Sequence, residues 1–220
     1  MPSTKMLTAN WQNYSAEKKT CANTDITVDS MNAKELIIEV VDNQVGKPVE
    51  TGHNGPYIDP ETKARNLGHW LILFARAYEW TGNEKYKAAM IDYADQLISP
   101  ELRPHDASFH HRNKEGKDHC NGLVGQAWSI EALVKASAIS GDAKYKKLAL
   151  SVFRKHTFNE FFGLWHILEI DGSKIELDPT FNHQLWFASA VSHFYQEDNM
   201  AALQVERFFR DTSENLTVMH

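Results

Sequence analysis

Three short stretches of the chain concentrate side chains that can hold or transform a polyhydroxylated ligand. The first is His53, Asn54 and Tyr57, set among Gly55, Pro56 and Pro60. Imidazole, amide and phenol groups on a rigid loop can hydrogen-bond hydroxyls while the Tyr57 ring stacks on a sugar face. The same loop also reads as a helix-entry turn capped by Asp59 or Thr62. The second stretch carries His110, His111, Arg112, His119 and Asn121. Paired histidines are suited to acid–base chemistry near neutral pH, and an arginine can grip a carboxylate with two parallel hydrogen bonds. His110, His119 and Cys120 also invite a zinc reading, but their spacing matches no strong ligand pattern, and no metal or cofactor is expected. No Gly-rich phosphate loop is present either. The third stretch is Asp178, Asn182, His183 and Gln184, one helical turn before Trp186. Asp178 and His183 are the favoured catalytic pair, with His111 as a third catalytic candidate. Hydrolysis would pair Asp178 with Asp118 or Asp59 at a separation of ~5 to 9.5 Å. Epimerisation or elimination would instead use His183, His111 or Tyr57 as base. Asp178 or Thr180 serves equally as a helix cap.

The elements that position these groups are visible as an internal repeat. Trp70, Trp128 and Trp186 recur at intervals of 58 residues, and Gln126 stands two residues before the second of them, as Gln184 does before the third. Trp128 and Trp186, with Gln126 and Gln184, are candidate substrate contacts, although an aromatic at a fixed repeat position equally serves a core. Each of the first two tryptophans is followed by an apolar helical stretch and then by Thr81-Gly82-Asn83-Glu84-Lys85-Tyr86 or Ser140-Gly141-Asp142-Ala143-Lys144-Tyr145. A Gly suited to ending one helix, followed by an Asn or Asp suited to starting the next, predicts a helix hairpin. In the first inner helix Leu67, Trp70, Leu71, Phe74, Ala75 and Tyr78 keep the 3.6-residue period, while the second helices are more charged and suit an outer, solvated layer. The third unit has Tyr195-Gln196-Glu197-Asp198 where the Gly turn would stand. Residues 163–170 and 174–177, joined by Asp171-Gly172-Ser173, predict a β-hairpin. The stretch at 33–43 reads as helix or strand.

The chain has 220 residues, 42% hydrophobic and 11% aromatic, with a net charge of −6. That describes a globular protein with one domain or slightly more: an N-terminal irregular or helical segment at 1–50 and a hairpin domain at 51–220, built of three repeats of about 58 residues. Acidity without a basic run argues against a nucleic-acid surface. Two cysteines make no disulfide framework, and with no apolar span and no signal-peptide pattern a cytoplasmic location is expected.

Helix hairpins at this period, with Trp-bearing inner helices and inserts at one end, resemble the α/α-toroid, or six-hairpin glycosidase, superfamily. More narrowly, HNGPYIDPETKARN (53–66), FHHRNKEGKDHCNGLVGQAW (109–128) and DPTFNHQLWFASA (178–190) look like motifs of bacterial toroid proteins associated with polysaccharides. The resemblance implies an all-α fold, a partial α/α toroid with small β-hairpin inserts. It also implies sugar chemistry: action on an acidic, uronate-containing oligo- or polysaccharide, most simply hydrolytic, with epimerisation, elimination or non-catalytic glycan binding as the alternatives. Three hairpins are half of such a ring, so a homo-oligomer that completes it is expected, because an open array exposes the apolar flanks of its inner helices.

Overall fold

A computed structural model describes residues 32–49, 53–54, 57–60 and 62–217, the side chains at 53–60 and 215–217 excepted. The elements in chain order are α1 (Ala33–Asp42), β1 (His53–Asn54), β2 (Tyr57–Pro60), α2 (Lys63–Thr81), α3 (Glu84–Leu97), α4 (Gly122–Ser140), α5 (Ala143–Phe153), β3 (Phe158–Asn159), β4 (Leu164–Leu168), β5 (Lys174–Leu177), α6 (Phe181–Ser192) and α7 (Asn199–Thr217). The all-α hairpin architecture is as the repeat requires: α2–α3, α4–α5 and α6–α7 are the pairs, and the inner helices pack α2 on α4 and α4 on α6.

The punctuation works through the backbone. Gly82 and Gly141 take the left-handed conformation (φ 66° and 78°), and their amides donate back to Tyr78 and Ser137. Asn83 and Asp142 then accept the Lys85 and Lys144 amides and start the outer helices. The third turn has no glycine. Asp198, buried and paired with Arg154, accepts the Ala201 amide instead and starts α7.

The Lys-Tyr pair that follows each Gly turn has a second task. The Tyr86 hydroxyl donates to Asp42 at the end of α1, and Tyr145 donates to Asp95 in α3, both at 2.7 Å. Lys85 and Lys144 reach the same two carboxylates at 2.7 and 2.8 Å. The outer helices α3 and α5 are therefore each pinned to the preceding one by the same two side-chain types. This explains why residues 33–42 are helical: α1 stands where an outer helix would precede α3, and Val41 is buried beneath it.

The core lies between the layers. Leu67, Leu71, Phe74 and Ala75 of α2 are buried as the period predicts, and α4, with neighbours on both sides, is buried nearly all round. The second insert forms the expected β4–β5 hairpin, turning at Gly172, and gains β3 as a third antiparallel strand. The first insert doubles back on itself, with the His111 and Arg112 amides both donating to the His119 carbonyl.

Candidate functional site

The entries to the three inner helices are tied into one wall. The Thr62 amide donates to the His111 carbonyl and its hydroxyl to the His110 carbonyl, joining the start of α2 to the insert before α4. Asp178, before α6, accepts the Leu123 amide in the first turn of α4 at 3.4 Å. Close approach here depends on missing side chains. A Cβ on Gly125 would sit 2.5 Å from the Cys120 carbonyl, and one on Gly122, at φ 59°, would sit 3.1 Å from Asp178 Oδ2.

On this wall Asp178 and His183 meet. Asp178 is 3% exposed, and its Oδ2 lies 3.0 Å from His183 Nδ1, while Oδ1 accepts the Thr180 amide at 3.0 Å. A carboxylate only accepts hydrogen bonds, so Nδ1 carries the ring proton and Nε2 is left to take one up. His183 is half-buried, and Asn182 beside it is exposed.

One turn further along, the inner helices present an aromatic cluster. The rings of Trp128 and Trp186 lie 5.9 Å apart at 80°, His69 lies 4.9 Å from Trp128, and the Arg65 guanidinium sits 4.7 Å from the Trp128 ring centre. Trp186 is 44% exposed and donates from Nε1 to Glu131 Oε2 at 3.2 Å. Desolvation, followed by the nearby Arg65 charge, holds the His69 pKa below the ordinary histidine value. Arg65, His69, Ile72 and Arg76 form one stripe of α2, spaced by four, three and four residues. That helical regularity marks one face, and the sequence reading, fixed on Trp70, passed over Arg65 and His69.

Other predicted contacts are placed differently. Gln126 and Gln184 are fully buried and act as clamps on the backbone. Gln126 accepts the Phe109 amide and donates to the Phe109 and Cys120 carbonyls. Gln184 does the same for Trp165 and Asp178. His111 is also buried. Its Nε2 lies 3.0 Å from Ser129 Oγ, and burial, aided by the nearby Arg65, His69, His110 and Arg112, pushes its pKa down to about 3. Arg112 donates to the Asp118 carbonyl, the Asp118 carboxylate and Asn121 Oδ1, and so braces the insert. Burial opposes the charged form of Asp118, yet hydrogen bonds from Cys120 and the Gly122 amide, with Arg112 close by, hold its pKa below the ordinary carboxylate value. Burial pushes the Cys120 thiol far up, which leaves it protonated and unreactive. His110 stacks edge-on against His119, and its Nε2 lies 3.1 Å from the Arg112 carbonyl. The side chains of His53, Asn54 and Tyr57 lie outside the described residues. Their backbone forms the antiparallel pair β1–β2.

No protein-family model matches the chain. Over 139 residues, 63% of this chain and 38% of the relative, it is 46% identical to archaeal glycosylation protein Q of Haloferax volcanii. Among solved structures it is similar to a D-mannose isomerase, with a TM-score of 0.57 at 18% identity over 84% of this chain and 51% of that one. It is also similar to cellobiose 2-epimerase of Spirochaeta thermophila, with a TM-score of 0.50 at 16% identity over 80% and 53% of the two chains. The chain thus spans under two fifths of the glycosylation protein and about half of each solved structure. Both solved structures are α/α-toroid proteins, and the likeness establishes that fold for the hairpins. No helix among the described residues is long and apolar enough to cross a membrane.

Proposed function

We propose that the chain binds a sugar against Trp128 and Trp186 and transforms it with His183 as acid–base group and Asp178 as its orienting partner. The 3.0 Å contact between His183 and Asp178, one turn from the tryptophan pair, is the observation that carries this reading. A relative named for glycosylation and fold neighbours named as a sugar isomerase and a sugar epimerase support carbohydrate chemistry.

The geometry favours proton transfer over hydrolysis. Two-carboxylate hydrolysis needs an acid and a base or nucleophile that face the bond. Asp178 is engaged by His183 and two backbone amides, and Asp118 by Arg112, Cys120 and the Gly122 amide. His183 Nε2 can instead remove the proton from a carbon beside a carbonyl. The C–H electron pair becomes the C=C bond of an enediolate as the carbonyl π pair moves onto oxygen, and Asp178 stabilises the imidazolium that holds the proton. Return of the proton to the other carbon gives the isomer, and return to the opposite face gives the epimer. His69, 4.9 Å from the Trp128 ring and with its pKa held low by desolvation, is the second imidazole beside the tryptophans.

Turnover of a panel containing D-mannose, cellobiose and uronate-bearing oligosaccharides tests this. His183→Gln and Asp178→Asn are expected to lower turnover about 10²-fold or more, with little change in KM. Wild-type rates in both variants would overturn the assignment. Binding without turnover across the panel would reassign the wall to holding glycan only.

We further propose that a second copy of the chain covers the apolar side chains exposed on the last hairpin, where Phe181 is 49%, Leu203 67% and Phe209 44% exposed. A dimer in sedimentation velocity, converted to monomer by Leu203→Glu, is the expected outcome; a wild-type monomer contradicts it.

A further inference from the structure

Beside the aromatic cluster, on the same inner helices, lies a cavity of about 220 Å³. Its polar lining is Arg76 of α2, Glu131 and Lys135 of α4 and His193 at the end of α6, and its apolar lining is Ile72, Val134 and, at an exposed edge, Ala138. Arg76 and Lys135 both reach Glu79, at 2.8 and 2.5 Å, and Glu131 accepts from Trp186 at 3.2 Å.

We propose that this cavity is a second sugar subsite, for one uncharged pyranose ring. The inference rests on the reading of the Trp186 side as a sugar site and extends it to a ligand of at least two rings. Three observations bear on the choice. The volume is below the ~300–1,000 Å³ of sites for drug-sized ligands, so it fits a single ring. The two lining cations, Arg76 and Lys135, are both already paired with Glu79, which lies outside the lining, and Glu131 adds a carboxylate within it, so two carboxylates offset the two cations. An anion gains little from such a set, whereas hydroxyls, which donate and accept at once, can use both kinds of partner. The aliphatic lining matches the C–H face of a pyranose. Glu131 belongs to both places, accepting from Trp186 and lining the cavity, so the two adjoin.

The full chain carrying ¹⁵N-histidine, titrated with D-mannose, cellobiose, D-glucuronate and inorganic phosphate, separates the two sites, because His183 reports on the first and His193 on the second. Cellobiose is expected to move both rings. Ala138→Phe, at the exposed edge of the lining, obstructs the cavity. It should abolish the His193 response and weaken cellobiose binding about tenfold while His183 still responds to D-mannose. A His193 ring that answers phosphate or glucuronate but not cellobiose makes the cavity an anion site and overturns the proposal. A silent His193 with a responsive His183 overturns the subsite and leaves the first reading intact. Silence of both rings toward all four probes overturns both.

Discussion

Acidification is expected to lower the stability of this protein before its carboxylates titrate, because two histidines are buried in neutral form. Burial pushes the His111 pKa down to about 3 and the His156 pKa down to about 4, from 6.5 for an exposed ring. His156 is 4% exposed, lies 4.8 Å from the Phe187 ring and has only a 3.4 Å contact from Nδ1 to the His166 carbonyl. Between pH 6.5 and those values the unfolded chain binds protons that the folded chain refuses. Stability is therefore fully present above pH 6.5 and is lost as pH falls through the window. Each ring contributes a slope approaching ~1.4 kcal/mol per pH unit, so the two together approach ~3, against a total stability of ~5–15 kcal/mol. Urea midpoints measured from pH 7 to 4 should fall steeply, and His156→Gln, which cannot titrate, should remove about half of the slope. A flat profile over that range would show that the rings are hydrated.

Gln184→Ala is expected to lower stability by about 3–5 kcal/mol, because one amide serves three buried backbone groups. It accepts the Trp165 N–H at 3.0 Å and donates to the Trp165 and Asp178 carbonyls at 2.8 and 3.1 Å. Truncation orphans all three, at ~1–3 kcal/mol for each buried group left without a partner. Gln184→Glu should be comparably harmful, since it sets an oxygen against two carbonyls. Gln126→Ala repeats the experiment on Phe109 and Cys120. Urea unfolding at neutral pH checks the series, and a loss below ~1 kcal/mol would mean that water fills the vacated site. The Gln184 change should also disturb Asp178, which hangs from the clamp.

These glutamines show why a repeated position is ambiguous in sequence. Their interval of 58 residues marked them as important, and their polarity suggested ligand contact. The recurrence comes instead from a structural need shared by the second and third repeats: an insert or strand must be fastened to the helix that follows it. Unit one has Gly68 at the equivalent position and no such clamp. Arg112 misled in a similar way, because its basic head next to histidines suggested a carboxylate ligand, yet Asp118 and Asn121, six and nine residues on, occupy it. Arg65 and His69 were missed for the converse reason, since nothing within α2 reveals that they face a tryptophan from α4.

What the sequence determined by itself is local and periodic: the hairpins, the Gly turns and capping residues, the charged outer layer, the β4–β5 turn, and Asp178 and His183, five residues apart. Each depends on interactions within a few residues or on a hydrophobic period, and these can be read along the chain. What only the tertiary structure decided is which polar groups remain available. Distant segments spend the amides of Gln126 and Gln184, bury His111 and His156, and bring Glu131 to Trp186. Whether a side chain is free to meet a ligand depends on what the rest of the fold has already asked of it.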